Sequence, residues 1–384
     1  MKLTADWVHD ASVQRLFSAF EDRGYQIYFV GGCVRNALLN CAVADLDVST
    51  SAVPEQTISV AKSEGFKFIP TGLEHGTVTI IVGDHDFEIT SFRKDVETHG
   101  RRAVVAFSDN IMDDALRRDF TMNALYADRA GEVIDPLLGM DDLKNRKVRF
   151  IADAQDRIKE DYLRILRYFR FHAWYANQDE GMDQGAMAAI AENVEGLGLI
   201  SKERIGAELR KILSAADPVR TIAAMENCGV LAQIIPGSSA RALGPLTLLE
   251  ETTGSKADWQ RRLLALGGAD QSAKLRLSKA ESKRIAAFQK AMDRGAGSAE
   301  TAYWYGKNTA LDIALISAAS LETPVHPDLS EQINQGSSAL FPITASDLSK
   351  TVKGKAIGDT LRALETEWVA SGFAKTKQEL LANV

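Results

Sequence analysis

Two aspartates one residue apart, Asp45 and Asp47, stand in the apolar segment ADLDVST. In a β-strand, residues two apart point to the same face, so both carboxylates are predicted to project side by side while Leu46 and Val48 face the core. Parallel carboxylates repel each other unless a divalent cation lies between them. Two such ions, held about 3.5–4 Å apart, support in-line displacement at phosphorus. A solvated strand edge or a turn explains the same pattern without any chemistry.

A third carboxylate for such a site is expected from a neighbouring strand. The best candidate is Glu88 in the segment DFEITSF. Strand alternation places Glu88 and Thr90 on one face and Phe87 and Ile89 on the other. Glu88 is therefore predicted on the polar face of the sheet, near the two aspartates.

Two glycines, Gly31 and Gly32, lie where the strand YQIYFVGG turns toward a helix that begins at NALL. Glycine permits positive φ and lets backbone N–H groups approach a phosphate closely. The helix N-terminus adds partial positive charge, and Arg35 adds a full one. The spacing matches neither G-x-G-x-x-G nor the P-loop. A tight turn is the alternative, but together with the carboxylates the segment predicts binding of Mg²⁺ and a nucleoside triphosphate.

The chain that must position these residues has 384 residues, which exceeds the usual limit of one hydrophobic core, so two or more units are expected. A net charge of −7 argues against a uniformly basic nucleic-acid binder but permits a basic patch.

There is no apolar run of membrane-spanning length and no signal-peptide pattern, so no membrane partner and a cytoplasmic location are expected. Cys33, Cys41 and Cys228 fit no zinc spacing and are predicted to be buried thiols.

The periodicity of apolar residues changes along the chain. Up to about residue 150, strand and helix signals alternate, including a helix opened by Pro54 and a hairpin turning near Gly83 and Asp84. Residues 93–104, RKDVETHGRRAV, read as a polar loop. After Asp153 the strand signals fade, and segments such as LRILRYFRFHAWYA and SKRIAAFQKAM are helical. The sequence predicts an α+β head followed by an all-helical remainder.

Several segments, in order, carry a resemblance to a known family. They are GGCVRNALL with DLDVST, TGLEHGTVTI, FEITSFRKD, DDALRRDFTMNALYAD, GEVIDPLLGMDDLKNRKVRFI, RIKEDYLRILRYFRFHA and PITASDLSKTVKGKAIGDTLRALETEW. Together they resemble the class II tRNA nucleotidyltransferase/poly(A) polymerase family of the polymerase-β-like superfamily. The resemblance implies a catalytic nucleotidyltransferase head of mixed sheet and helices at residues 1–150. It further implies a helical neck that recognises the nucleotide base at 151–215, and a helical body and tail that bind RNA at 216–384.

The resemblance assigns the catalytic chemistry to the head. Asp45 and Asp47 would bind two Mg²⁺ ions, so that the 3′-hydroxyl of an RNA end attacks the α-phosphate and pyrophosphate leaves. Glu88 is the proposed third carboxylate. Gly31, Gly32 and Arg35 would bind the nucleotide.

A second nucleotide-binding motif is RRD at Arg117, Arg118 and Asp119, with Asn123 one helical turn beyond. The arginines suit triphosphate oxygens, and Asp119 suits a ribose hydroxyl. Asn123 is expected to support the same face. A surface ion-pair cluster is the alternative explanation of this motif.

The E-D-x-x-R motif at Glu160, Asp161 and Arg164 is assigned by resemblance to base recognition, as an amino-acid template. Asp161 and Arg164 are predicted to lie at i and i+3 of one helix and hence on one face, where together they match the Watson–Crick edge of cytosine or adenine. An ordinary salt bridge is the alternative. Arg167 and Arg170 continue the basic side of the helix toward phosphate or the RNA end.

Two further features follow from the resemblance. The polar loop, with Arg93, Lys94, Asp95 and Arg101, corresponds to the family's flexible loop, implicated in switching from CTP to ATP. The family commonly has aspartate after the arginine of the glycine motif, where this chain has Asn36. Asparagine can still cap a helix or accept a hydrogen bond.

Basic residues are concentrated between Lys256 and Arg294 in an otherwise acidic protein. RNA binding needs phosphate neutralisation more than base readout when many tRNAs are accepted. A solvated helix face is the alternative. The predicted RNA-binding stripe consists of Arg261, Arg262, Lys274, Arg276, Lys279, Lys283 and Arg284, with a second contact near Lys350, Lys353 and Lys355.

The implied activity is template-independent addition of CCA to tRNA 3′ ends from CTP and ATP. The rivals are a poly(A) polymerase and an enzyme that adds only CC or only A. Bacterial poly(A) polymerases of this class usually carry an arginine-rich stretch soon after the catalytic aspartates, whereas this chain reads IPTGLEHGTVTIIV. A non-enzymatic RNA-binding module is disfavoured because both D-x-D and E-D-x-x-R are intact.

Overall fold

The computed structural model of the chain describes residues 1–99, 102–349 and 352–382, with side chains except at 95–99 and 102–105. The chain divides into two compact units, Met1–Glu208 with Asn227–Gln233, and Leu209–Glu226 with Ile234–Val384. Within the described residues the first unit combines strands and helices and the second contains helices, which confirms the predicted α+β class. The three-part division at residues 150 and 215 stays a prediction.

A mixed seven-stranded sheet forms the centre of the first unit. The strands of the described chain are β1 (Ile27–Val30), β2 (Asp47–Thr50), β3 (Lys67–Gly72), β4 (Thr77–Val82), β5 (His85–Ser91), β6 (Arg93–His99), β7 (Arg102–Phe107), β8 (Tyr126–Ala127) and β9 (Val133–Ile134). The sheet order is β3-β4-β5-β2-β1-β8-β9. The strands β2 and β5 are parallel, while the other neighbours are antiparallel. The predicted hairpin is confirmed, because β4 and β5 close with Val82 opposite His85.

The strand β2 begins at Asp47, so Asp45 precedes the strand instead of alternating within it. The pairing of β1 with β2 ends with Phe29 opposite Val48, and residues 41–46 have no strand partner. Val48 is buried as predicted, whereas Leu46 is only half-buried. The two aspartates therefore reach the site from different backbone environments.

The segment predicted as a polar loop is instead a β-hairpin. The strands β6 and β7 pair from Arg93 opposite Phe107 to His99 opposite Arg102, with a bulge between Asp95 and Glu97. The segment contains three β-branched residues, Val96, Thr98 and Val104, which favour strands, and the prediction from charge alone did not take them into account. Arg101 lies outside the described residues.

Helices flank the sheet and continue the first unit. They are α1 (Ala11–Glu21), α2 (Gly32–Leu38), α3 (Pro54–Glu64), α4 (Ile111–Leu116), α5 (Gly139–Lys144), α6 (Ala154–Glu160), α7 (Leu163–Tyr175), α8 (Gln184–Asn193) and α9 (Lys202–Leu213). Helix α2 starts directly after the glycine turn, earlier than predicted. Pro54 occupies the first turn of α3 as predicted, where its missing N–H costs no helical hydrogen bond.

The described chain continues with twelve further helices. They are α10 (Val219–Asn227), α11 (Val230–Ile234), α12 (Leu243–Thr252), α13 (Trp259–Leu266), α14 (Gln271–Lys274), α15 (Lys279–Arg294), α16 (Ser298–Tyr305), α17 (Lys307–Leu321), α18 (Leu329–Ser338), α19 (Ala345–Leu348), α20 (Ala356–Ala370) and α21 (Lys377–Leu381). The segment PVRTIAAMENCGVL, predicted as one helix, is interrupted at Gly229, which has a φ of 80°.

Within the described ranges, no helix is both long enough and apolar enough to cross a bilayer. None of the three cysteines forms a disulfide, as predicted, but only Cys33 is fully buried. Cys228 is half-buried and Cys41 is exposed, which corrects the prediction of three buried thiols.

Candidate active site

Asp47 and Glu88 lie directly opposite each other on the adjacent parallel strands β2 and β5. Their strand neighbours Val48 and Ile89 are buried, so the two carboxylates share the polar face of the sheet. Desolvation raises the pKa of the Asp47 carboxyl, and the charges of Glu88 and Asp45 raise it further. The structure thus places Glu88 where alternation predicts it, and its catalytic role stays a prediction.

The chemistry of these oxygen donors fits Mg²⁺. This ion commonly binds through one or two carboxylates and takes its other oxygens from water and substrate phosphates. Among the residues that the structure describes, no three His, Cys, Asp or Glu side chains are placed to hold one ion by themselves. Asp47 with Asp45 or Glu88 supplies the smaller set, and the crowded negative charge at Asp47 favours a cation. The site therefore fits Mg²⁺ that is bound together with a phosphate ligand.

The turn between β1 and α2 favours glycine at Gly31 because of its backbone conformation. Gly31 has a φ of 70°, a region that other residues rarely adopt. A Cβ at Gly31 would lie 3.4 Å from Arg118 Nη1 and 3.6 Å from the Asn123 carbonyl oxygen. The turn therefore brings backbone close to the arginines of the RRD motif.

A cavity of about 460 Å³ opens beside this turn and is lined mainly by arginines. Its lining includes every predicted nucleotide-binding residue except Glu160, which pairs with the lining residue Arg164. The lining residues are Gly31, Gly32, Arg35, Asp47, Arg117, Arg118, Asp119, Asn123, Asp161, Leu163, Arg164, Arg167, Arg170, Phe171 and Arg204. An excess of arginine over carboxylate suits a polyanionic ligand such as a triphosphate.

A smaller cavity of about 270 Å³ lies on the Glu88 side of Asp47. Asp47, Arg117 and Arg118 line both cavities. The remaining residues of the smaller cavity are Val30, Val48, Ser49, Glu88, Thr90 and Arg93. Two ligands can therefore approach the same carboxylate from two sides.

Arg118 is held by three residues that the sequence did not single out. Its Nη2 donates to Asp114 Oδ2 at 2.9 Å and to Ser49 Oγ at 3.1 Å, and its Nε donates to Tyr126 Oη at 3.1 Å. Burial opposes ionisation of Asp114, but the Arg118 guanidinium holds the pKa of that carboxyl below its usual value. The network fixes the position of Arg118 in the wall of both cavities.

Asp119 uses both carboxylate oxygens within the protein. It accepts hydrogen bonds from Arg167 Nε at 2.7 Å, Asn123 Nδ2 at 2.8 Å and the Phe120 N–H at 2.9 Å. Burial opposes its ionisation, but Arg167 keeps its pKa low. Asn123 reaches it from a 3₁₀ turn, Thr121–Asn123, and not from the α-helical turn that was expected. A ribose contact stays a prediction, and it requires these bonds to rearrange.

The prediction that Asp161 and Arg164 share one helix face is wrong. Glu160 ends α6, Asp161 has an extended backbone with φ −150°, and Arg164 lies in the first turn of α7. Arg164 pairs with Glu160, while Asp161 accepts a hydrogen bond from Arg204 Nη2 at 2.7 Å. Asp161 and Arg164 nevertheless line the same cavity. Their joint contact with a base therefore depends on cavity shape and not on helical spacing.

Two functional candidates on α9 were missed by the sequence reasoning. Arg204 pairs with Asp161 although it lies 43 residues away. Glu208 is buried and pairs with Arg170 Nε at 2.7 Å, so Arg170, predicted as an RNA contact, is a paired residue of the cavity wall. The segment ERIGAELRK shows Arg204 and Glu208 one helical turn apart, which was the available signal.

The predicted basic stripe is partly a buried ion-pair network of the second unit. Arg261 and Arg262 are buried and both pair with Glu250, and Arg261 also pairs with Asp312. Arg284 binds the same Asp312 at 2.7 Å. Their assignment to an RNA-binding surface is wrong for Arg261 and Arg262, and the charge of Arg284 is already balanced. Burial of hydrogen-bonded ion pairs cannot be read from the order of basic residues along a helix.

A smaller basic surface remains on α14, α15 and the residues between them. Lys274, Arg276, Lys279 and Lys283 are exposed. Their contact with RNA stays a prediction. Lys350, proposed for a second contact, lies outside the described residues.

Comparison with known proteins agrees with this arrangement. Residues 27–149 match the family model "Poly A polymerase head domain", and residues 182–241 match "Probable RNA and SrmB-binding site of polymerase A". The mitochondrial CCA tRNA nucleotidyltransferase 1 of Homo sapiens is 32% identical over 392 residues, which cover 97% of this chain and 89% of that protein.

Solved structures show the same fold over nearly the whole chain. The CCA-adding enzyme of Bacillus stearothermophilus in complex with CTP superposes with a TM-score of 0.71 at 25% identity, covering 97% of this chain and 96% of the other. The Thermotoga maritima CCA-adding enzyme complexed with tRNA gives a TM-score of 0.72 at 18% identity, covering 100% and 98%, and supports the fold alone. The chain belongs to the tRNA nucleotidyltransferase/poly(A) polymerase family.

Proposed function

We propose that this enzyme adds CCA to the 3′ ends of tRNA from CTP and ATP and releases pyrophosphate. One observation carries the proposal. The Asp161 and Arg164 side chains line the same cavity as the arginines of the RRD motif and Asp47. The groups proposed to bind the phosphates and to recognise the base therefore line one cavity. Nucleotide addition without a nucleic-acid template requires this, because protein side chains must then select the base.

Each of the two cavities beside Asp47 is proposed to bind a different substrate. The arginine-lined cavity holds the nucleoside triphosphate, and the smaller one receives the 3′ end of the RNA beside Glu88. The RNA 3′-hydroxyl attacks the α-phosphorus, a P–O bond to the RNA forms, and the bond to the pyrophosphate leaving group breaks. Asp45 and Asp47, with Glu88, would hold Mg²⁺, which lowers the pKa of the attacking hydroxyl and neutralises charge on the phosphoryl oxygens.

Base selection is assigned to Asp161 and Arg164. A carboxylate accepts from the exocyclic amino group that cytosine and adenine share, and a guanidinium donates to their ring nitrogen. Uracil and guanine present the opposite pattern at those positions. Arg204, which donates a hydrogen bond to Asp161, is expected to hold its carboxylate in a fixed orientation.

The exposed basic residues of the second unit, Lys274, Arg276 and Lys283, are proposed to contact the tRNA backbone without reading sequence. The cytoplasmic location stays a prediction, because the human relative is named as mitochondrial.

One assay separates the proposed activity from its rivals. Purified protein and Mg²⁺ are incubated with tRNA lacking CCA and with each labelled nucleotide in turn. Incorporation of C, C and A that stops after three nucleotides supports the proposal. A long A tail indicates a poly(A) polymerase, addition of CC or A alone indicates a partial enzyme, and no incorporation with retained tRNA binding indicates a binding module.

A further inference from the structure

Arg35 differs from five other arginines of the nucleotide cavity, because its own hydrogen-bond partners are all neutral. Its Nε and Nη2 donate to Asn36 Oδ1 at 3.2 and 2.9 Å, Nη2 donates to Tyr175 Oη at 2.9 Å, and Nη1 donates to Asn123 Oδ1. The guanidinium also lies over the rings of Tyr175 and Phe171, at 4.1 and 5.0 Å from their centroids. Within the described part of the chain, no carboxylate is hydrogen-bonded or ion-paired to it.

Five neighbouring arginines show the contrast. Arg118, Arg164, Arg167, Arg170 and Arg204 each form an ion pair with a carboxylate. Arg35 is only 6% exposed, so its charge is largely removed from water, and the nearby Asp119 and Asp47 carboxylates act on it only through space. Burial lowers its pKa, but an arginine stays protonated at neutral pH.

A buried charge that lacks an ionic partner is unfavourable, and an anion that enters the cavity relieves it. Arg35 lines the cavity beside Asp47, whose pKa it also lowers through space. The point where a Cβ of Gly32 would stand is 3.9 Å from Arg35 Nη2 and 4.0 Å from Asp47 Oδ2. A phosphate group bound at the glycine turn therefore meets Arg35 and the catalytic carboxylate together.

Asn36 makes this arrangement possible because its side chain is an amide. Its Oδ1 accepts from Arg35, while its Nδ2 donates to the Ala42 carbonyl oxygen at 2.9 Å. Ala42 lies in the segment that leads to Asp45, and the Asn36 carbonyl also accepts from the Cys41 N–H at 2.8 Å. An aspartate at this position would neutralise Arg35, and it has no hydrogen to donate to Ala42 at neutral pH.

We propose that Asn36 is a positioning residue with two separable effects. Its oxygen orients Arg35 without neutralising it, so that the full charge remains for the triphosphate. Its N–H group holds the segment that carries Asp45. This inference rests on the proposed function.

Two substitutions in the full-length chain separate the effects. In Asn36→Asp, a carboxylate competes with the nucleotide for Arg35, so the Kd for CTP rises about tenfold and the Kd for CMP changes about twofold or less. In Asn36→Ala, Arg35 loses one acceptor but keeps Tyr175 and Asn123 as partners and is not neutralised, while the loop is released. The Kd for CTP therefore changes about threefold or less and kcat falls about tenfold. Asn145→Asp, at an exposed position outside both cavities, is the matched control for the change in charge.

The affinities are measured by equilibrium dialysis with CTP and CMP in the absence of RNA, and kcat and KM with tRNA lacking CCA. Thermal unfolding establishes that each variant is folded. If Asn36→Asp fails to fold, Asn36→Ala tests the inference by itself: kcat should fall while the Kd for CTP stays nearly unchanged, and the opposite result overturns the inference. Equal CTP affinity in wild type and Asn36→Asp overturns the inference, as does an equal loss of CTP affinity in both variants. If the binding pattern appears but wild type incorporates no nucleotide, the proposed function fails and the inference about Arg35 stands.

Discussion

Asp114 is the residue on which the position of Arg118 depends. It is 1% exposed, and its Oδ2 accepts from Arg118 and from Tyr126 Oη at 2.8 Å. Asp114→Asn leaves the Arg118 charge without an ionic partner, so we expect a loss of about 3 kcal/mol in the free energy of unfolding. We also expect a KM for CTP raised about tenfold with kcat changed less, because ground-state phosphate binding is weakened.

Asp113→Asn is the control for Asp114→Asn, since it removes the same charge at a half-buried neighbouring position. Urea unfolding and steady-state kinetics on both variants decide the matter. Equal behaviour of the two variants contradicts a specific role for Asp114.

His172 makes stability depend on pH. It is buried in α7, and burial lowers its pKa from 6.5 to about 4. Below pH 6.5 the unfolded chain binds a proton here that the folded chain does not bind, so stability is lost as the pH falls from 6.5 toward 4. Between pH 7 and 5 this group costs the wild type about 2 kcal/mol of unfolding free energy.

His172→Gln should remove this part of the pH dependence, and His75→Gln, at an exposed position, should retain it. Denaturant titrations of the three proteins at pH 7 and pH 5 measure the difference. An identical loss of stability in wild type and His172→Gln contradicts the explanation.

At the scale of elements, the break between α6 and α7 decides how Asp161 and Arg164, the residues proposed to read the base, are arranged. Asp161 is fixed from outside both helices, by Arg204 of α9. Arg204→Ala frees the Asp161 carboxylate to move, so we expect the preference for CTP over UTP in kcat/KM to fall about tenfold.

Arg210→Ala tests whether this effect is specific to Arg204, since Arg210 lies on the same helix but pairs with Glu281. The preference is read from competition between CTP and UTP in single-nucleotide addition. An undiminished preference in Arg204→Ala, or an equal loss in Arg210→Ala, contradicts the role given to Arg204.

Elements with strong local signals were predictable from sequence, and contacts between distant elements were not. Alternation in DFEITSF placed Glu88 beside Asp47, and the glycine pair marked the turn at Gly31. The hairpin β6–β7 was missed because charged residues outweighed the β-branched ones in the reading. The helix break at Asp161 was missed because continuous helical periodicity hides a single extended residue.

The sequence also did not identify the residues that form ion pairs with the side chains lining the cavity. Asp114 lies near the RRD motif, but the sequence does not distinguish it from the adjacent Asp113. Arg204 and Glu208 pair with residues that are far away in the sequence. For the same reason, Arg261 and Arg262 were predicted to bind RNA, whereas both form buried ion pairs with Glu250. Which charges are buried depends on tertiary packing, which local spacing does not encode.

At the scale of the whole molecule, binding of tRNA is predicted to depend on the exposed lysines of the second unit and not on its paired arginines. Lys274→Ala with Lys283→Ala should weaken tRNA binding and reduce the slope of log K against log salt by about 1 for each phosphate that the protein no longer neutralises. Nucleotide affinity should be unchanged, because neither lysine lines the nucleotide cavity.

Arg284→Ala is the informative contrast. This substitution breaks the ion pair with Asp312. We therefore expect it to lower the free energy of unfolding more than it weakens RNA binding. Filter binding at several salt concentrations, with unfolding curves for each variant, separates the two effects. An unchanged salt dependence in the double lysine variant contradicts the proposed surface.

The central claim is that the carboxylate shared by both cavities carries the phosphoryl transfer. The most direct test is single-turnover transfer of [α-³²P]CMP from labelled CTP to tRNA lacking CCA, comparing wild type with Asp47→Asn at equal and verified CTP occupancy. We predict that the variant stays folded, binds CTP and loses transfer by about a thousandfold or more. Transfer by Asp47→Asn at the wild-type rate would contradict the account.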